Sequence, residues 1–158
     1  MVFEAEIEDI FIDRQIDEPV VMLKEQEGDR RVPIWIQMGE MFALAIYLAG
    51  EAFTPPRPFS HDLIKTIVTD LDAHVHQVVI ADIKDHIYIA QLHLVSSTTS
   101  LELDARPSDA ILLALKFEAP IFIDETVVQK SLELSPDQTV LKQRLQKLRP
   151  EDFIKFAK

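Results

Sequence analysis

A chain of 158 residues is one ordinary domain in length, and a composition of 47% apolar and 27% charged residues suits a globular fold that buries its core without covalent staples. It has no cysteine, which excludes disulfide scaffolds, thiolate metal sites and cysteine nucleophiles and fits a reducing compartment; three glycines all but exclude a Gly-rich phosphate loop. The net charge of −11 opposes the phosphate neutralisation on which nucleic-acid affinity rests, so such a partner requires a local cationic patch or bound cations.

That charge is uneven. Residues 1–30 carry ten acids against three bases, and residues 142–158 carry six bases against two acids. The tail reads as a solvated amphipathic helix or a basic patch. No basic-then-apolar leader pattern opens the sequence, and no apolar run approaches the roughly 20 residues of a membrane span. The expectation is a soluble, cytoplasmic protein with no membrane partner.

Taken in order, Phe3, Ala5 and Ile7 alternate with Glu4, Glu6 and Glu8 as a half-buried strand, and the apolar phase shifts at Asp9, which predicts a β-bulge. Segments 19–24 and 31–36 read as two more strands joined by a Glu27-Gly28-Asp29 turn. Pro33 cannot donate to a ladder, which places the third strand at an edge or an irregularity. Met38–Ala49 predicts a helix, apolar nearly all round, with Gly50 at its C-terminal cap. The stiff Thr54-Pro55-Pro56-Arg57-Pro58 loop precedes a second helix, with Ser60 as N-cap, running to about Leu71. Strands at 74–82 and 86–95 flank a Lys84-Asp85 turn, and 100–104 is a sixth. Pro107 opens a further apolar helix through Phe117, residues 119–123 form a last short strand, and helices follow, with Leu141, Leu145 and Leu148 on one face. The expected architecture is α/β of the α+β type: a mixed, mainly antiparallel sheet with helices packed against it. One domain spans 1–134 and a helical C-terminal extension spans 135–158.

Three clusters carry candidate chemistry. Glu40 is the only charge in the first apolar helix; it is either a buried carboxylate in need of a partner or a first-turn acid favouring the positive end of the helix. Arg57-Pro58-Phe59-Ser60-His61-Asp62 brings a cation, an imidazole and a carboxylate to a helix start, an anion site or simply a capped end. In Asp104-Ala105-Arg106-Pro107-Ser108-Asp109, Asp104 and Arg106 share a strand face, and Asp109 stands at the third position of the helix. That run caps a helix or supplies oxygen ligands to a hard cation. His74 and His76 share a strand face and read as surface residues. No GxSxG elbow, P-loop, dinucleotide fingerprint or HExxH helix is present.

Four collinear motifs, Pro19–Lys24 with Val32–Ile36 and Glu40, then Arg57–Leu63, Leu103–Ala110 and Ala119–Ile123, resemble the bifunctional nuclease family. The family pattern has Gly directly after the Pro-Ile-Trp-Ile strand, where this chain has Gln37-Met38 and its nearest glycine is Gly39. The resemblance implies activity on both RNA and DNA and a homodimer or larger homo-oligomer, an assembly that two all-apolar helices also suit. On that footing His61, Asp62, Asp104 and Asp109 are the expected catalytic residues, and Arg57, Arg106 and Ser108 the expected phosphate-binding ones. Glu40, Asp104 and Asp109 are the expected ligands of Mg²⁺ or Mn²⁺. The alternative is a non-catalytic oligomeric binding or assembly module, in which Asp104 pairs with Arg106 and Glu40 with Arg57.

Overall fold

A computed structural model of the chain describes residues 1–14 and 16–134. The expected C-terminal extension and its Leu141, Leu145 and Leu148 stripe lie outside the described residues.

Alternating apolar residues build seven strands: β1 Val2–Asp13, β2 Glu18–Glu25, β3 Arg31–Trp35, β4 Ala73–Lys84, β5 Ile87–Ser96, β6 Ser100–Ala105 and β7 Ile121–Asp124. They form one sheet in the order β3-β2-β1-β7-β4-β5-β6, antiparallel throughout except for the β4–β7 pair. The register of β1 on β2 shifts between Ile7 and Asp9, where the apolar phase of the sequence changes. β3 is a terminal strand, the position its proline requires. The β4–β5 turn places Asp85 and His86 at φ of 48° and 65°, the two left-handed residues of a tight hairpin.

The short β7 joins the two antiparallel halves, with Ile121 and Ile123 buried. The sheet is strongly coiled: the Tyr88 hydroxyl on β5 donates to the Pro33 carbonyl on β3, 2.9 Å away, although four strands separate them in order. Burial pushes the Tyr88 phenol well above its ordinary pKa.

Among the described residues four α-helices pack on this sheet: α1 Met38–Leu48, α2 Ser60–Asp70, α3 Pro107–Phe117 and α4 Glu125–Leu134. The third is the central one. It buries Ser108 and every residue from Ala110 to Ala114, and it meets α1, α2, β4 and β5. Its apolar circumference is therefore explained within the domain. α1 buries Met41, Leu44 and Ala45 but leaves Met38 and Phe42 more than half exposed. α2 buries nothing, and Leu63, Ile64, Ile67 and the following Leu71 are exposed. No described helix is long and apolar enough to cross a membrane.

Candidate active site

The starts of α1, α2 and α3 each carry an acid at the third helical position: Glu40, Asp62 and Asp109. Acids favour that position because unpaired N–H groups and the positive end of the helix dipole meet there. Glu40 Oε2 accepts from the Gln37 N–H at 2.7 Å, and Asp62 Oδ2 accepts from the Phe59 N–H at 3.0 Å. The N-cap of α2 is thus Phe59, and Ser60, expected to cap it, is the first helical residue. Phe59 provides no capping side chain, and the carboxylate of Asp62 closes the turn in its place.

Each of these acids keeps a second oxygen or a second bond for a neighbouring helix. Arg106, the N-cap of α3, donates from Nε to Asp109 Oδ2 at 2.9 Å and forms an ion pair through Nη1 with Glu40 Oε1 at 2.7 Å. Asp109 Oδ1 lies 2.9 Å from His61 Nε2. A chain Glu40–Arg106–Asp109–His61 therefore ties together the first turns of three helices. Burial works against ionisation of Asp109, but hydrogen bonds from Arg106 and His61 outweigh it and hold the carboxyl below its ordinary value. An ionised Asp109 can only accept, so His61 Nε2 carries a proton and Nδ1 is the basic nitrogen of the neutral ring.

Asp62 takes a different partner, the Lys116 ammonium, 2.5 Å away, and that hydrogen bond lowers its pKa most. Lys116 is only 14% exposed, sits 5.2 Å from the Tyr47 ring centroid, and borders a cleft of about 270 Å³. The cleft lies between α1, the 50–59 loop, α2 and α3. His61 and Asp62 are in its wall. Sequence reasoning missed Lys116, although as the lone charge in the last turns of an apolar helix, two turns after Asp109, it stands on the same helical face.

The other expected site residues lie elsewhere. Asp104 is exposed on the edge strand β6 opposite Gln91, and no hydrogen bond or ion pair joins it to the Glu40–His61 chain. Ser108, in the first turn of α3, is 4% exposed. Arg57 is exposed on its loop and has no ion pair among the described residues. The Asp104–Arg106 and Glu40–Arg57 pairs expected of a purely structural role are replaced by Glu40–Arg106 and Arg106–Asp109. A Cβ on Gly39, the glycine nearest to the departure from the family pattern, would meet nothing within 4 Å, so no other backbone crowds that residue. The described residues include no group of three or more His, Asp or Glu side chains disposed to hold a metal, and Arg106 already stands between Glu40 and Asp109.

Together these features define an α+β domain with an imidazole–carboxylate–guanidinium chain at the meeting of three helix starts, beside an apolar cleft. The chain belongs to the bifunctional nuclease domain family, whose model matches residues 21–134. It is also similar to uncharacterized proteins from two strains of Mycobacterium tuberculosis. Each is 34% identical over 136 residues, an alignment covering 86% of this chain and 80% of theirs.

Proposed function

We propose that the protein hydrolyses phosphodiester bonds in RNA and DNA at the His61–Asp109–Arg106 cluster. The observation that carries this reading is the 2.9 Å bond between His61 and an ionised Asp109 at the edge of a cleft, in a member of a nuclease family. DNA has no 2′-hydroxyl, so one mechanism for both polymers takes water as nucleophile. His61 Nδ1 accepts the proton of that water as its oxygen attacks phosphorus. Asp109 fixes the tautomer and stabilises the imidazolium that forms. The Nη2 of Arg106, left over from Glu40 and Asp109, donates to a phosphate oxygen as negative charge grows there. The imidazolium then returns the proton to the leaving oxygen, and the P–O bond breaks. Asp62 acts through Lys116, holding that ammonium at the cleft wall, and Arg57 offers a further phosphate contact from its loop.

Magnesium or manganese at Glu40, Asp104 and Asp109 is a separate proposal. The described carboxylates do not form such a donor set, and no step above is routed through a cation. We also place the activity in the cytoplasm, a compartment that suits a cysteine-free chain, and in a homo-oligomer.

The test is an assay of highly purified protein on RNA and on DNA, with His61→Gln alongside and with EDTA and manganese arms. General acid–base catalysis predicts a loss of about 10²- to 10⁴-fold in the variant. Activity undiminished in His61→Gln contradicts the proposal. Loss in EDTA restored by manganese supports the cation, and persistence in EDTA removes it. One observation favours a second reading, a non-catalytic binding or assembly module: Arg106 is neutralised by two carboxylates at 2.7 and 2.9 Å, as a scaffold residue would be.

A further inference from the structure

We infer that the cleft between α1, the 50–59 loop, α2 and α3 is a subsite for one nucleobase of the substrate strand, adjoining the cluster where the phosphate is cleaved; the inference rests on that nuclease reading. Its volume of about 270 Å³ is at the small end of ligand pockets, which run from about 300 Å³ upward, and suits one ring system rather than a run of nucleotides. The walls are apolar and aromatic: Ala43, Ile46, Phe53, Pro55, Phe59 and Leu112. Phe53 and Phe59 hold their rings parallel to within 5° with centroids 6.5 Å apart. Both remain nearly half exposed, an unfavourable state for two phenyl groups that a stacked planar partner would relieve.

The polar wall selects against a phosphate in the cleft itself. Its charges are Asp62 and Lys116, which cancel, so the lining is close to neutral and suits an uncharged heterocycle. Those two groups set a donor beside an acceptor. Lys116 gives one of its three N–H groups to Asp62 and keeps two, and a carboxylate has more lone pairs than its two bonds use. Adjacent donors and acceptors are what the edge of a nucleobase presents. His61 is common to both sites: it lines the cleft and forms the end of the catalytic chain. A base seated against Phe59 therefore brings its own backbone phosphate towards His61. Base–aromatic stacking is indifferent to sequence, in keeping with a site that serves two polymers.

The experiment measures equilibrium binding of a short oligodeoxyadenylate and of the same strand built from abasic residues, with cleavage scored separately. The subsite predicts that the base-bearing strand binds on the order of 10-fold tighter. It further predicts that the double variant Phe53→Leu, Phe59→Leu loses that preference and that 2-aminopurine in the strand is quenched by the wild type only. Ala43→Leu, which narrows the cleft while leaving Phe53 and Phe59 unsubstituted, is expected to reduce the preference also. Equal binding of the two strands, a preference that survives the double variant, or no binding of either strand overturns the subsite. Base preference without cleavage keeps the subsite and sinks the nuclease reading, and cleavage without base preference does the reverse.

Discussion

Individual side chains in the site differ in what they contribute to stability, and solvent exposure decides the ranking. Glu40 is 15% exposed but its partner Arg106 is 61% exposed, so water screens the ion pair at the guanidinium. Glu40→Gln, which keeps an acceptor for the Gln37 N–H, is expected to cost no more than about 1 kcal/mol in urea unfolding. Lys116 is 14% exposed, and Lys116→Met leaves Asp62 without its main partner. A loss of about 1–3 kcal/mol is expected there, and a smaller effect than that of Glu40→Gln contradicts the ranking. Asp104, exposed on β6 and in no ion pair among the described residues, is expected to tolerate Asn within about 0.5 kcal/mol. Loss of activity in that variant at unchanged stability is the result that would support its role as a cation ligand. Asp62 and Asp109 both titrate below their ordinary value of 3.8. Folding is therefore favoured by their ionisation above that value, and this stability is lost as pH falls through their lowered folded-state values. Acid unfolding followed by circular dichroism is expected to begin below about pH 4 on their account, and Asp109→Asn should flatten that limb.

Among the elements, α2 is held in place by polar bonds more than by burial. An isolated helix of 11 residues is marginal in water, and this one has no buried residue. What fixes it are His61 to Asp109, Asp62 to Lys116, and Lys65 to the Lys116 carbonyl at 2.7 Å. Hydrogen exchange is expected to be much faster in α2 than in α3, and faster still in Lys116→Met; equal protection of the two helices would contradict this. The same contrast explains how much the sequence disclosed. Strand alternation, the bulge at Asp9, the edge position of Pro33 and the left-handed Gly50 (φ 60°) are local effects of pleat, ring closure and a missing Cβ, so they are legible residue by residue. The insertion of β7 at the centre, parallel to β4, is a long-range choice that no local pattern encodes. Within the site the residue types at the helix starts were readable, but their partners were not: His61 and Asp109 are 48 positions apart, and Asp62 and Lys116 are 54. The Ser60-His61-Asp62 string suggested a shared role, yet successive helical residues point in different directions and find different helices.

For the whole molecule, the apolar surface open to association lies on α2 rather than on α3. The apolar circumference of α3 is used inside the domain, whereas Leu63, Ile67 and Leu71 form an exposed stripe at helical spacing on and just beyond α2. Light scattering at micromolar concentration is expected to show a dimer or larger, and Ile67→Glu to shift it towards monomer. A wild type that is monomeric across that range contradicts the expectation. The charge of −11 also bears on the whole: a polyanion is held by local cations such as Arg106, Arg57 and Lys116 against an opposing field, so few counterions are released on binding.

The central claim, that the His61–Asp109 pair performs catalysis, is tested most directly by Asp109→Asn assayed for phosphodiester hydrolysis and for melting temperature on one preparation. Asparagine keeps the shape but cannot enforce the tautomer with Nδ1 free or stabilise the imidazolium. The account predicts a fall in kcat of at least about 10²-fold while the protein remains cooperatively folded at the assay temperature. Full activity in the folded variant would contradict it.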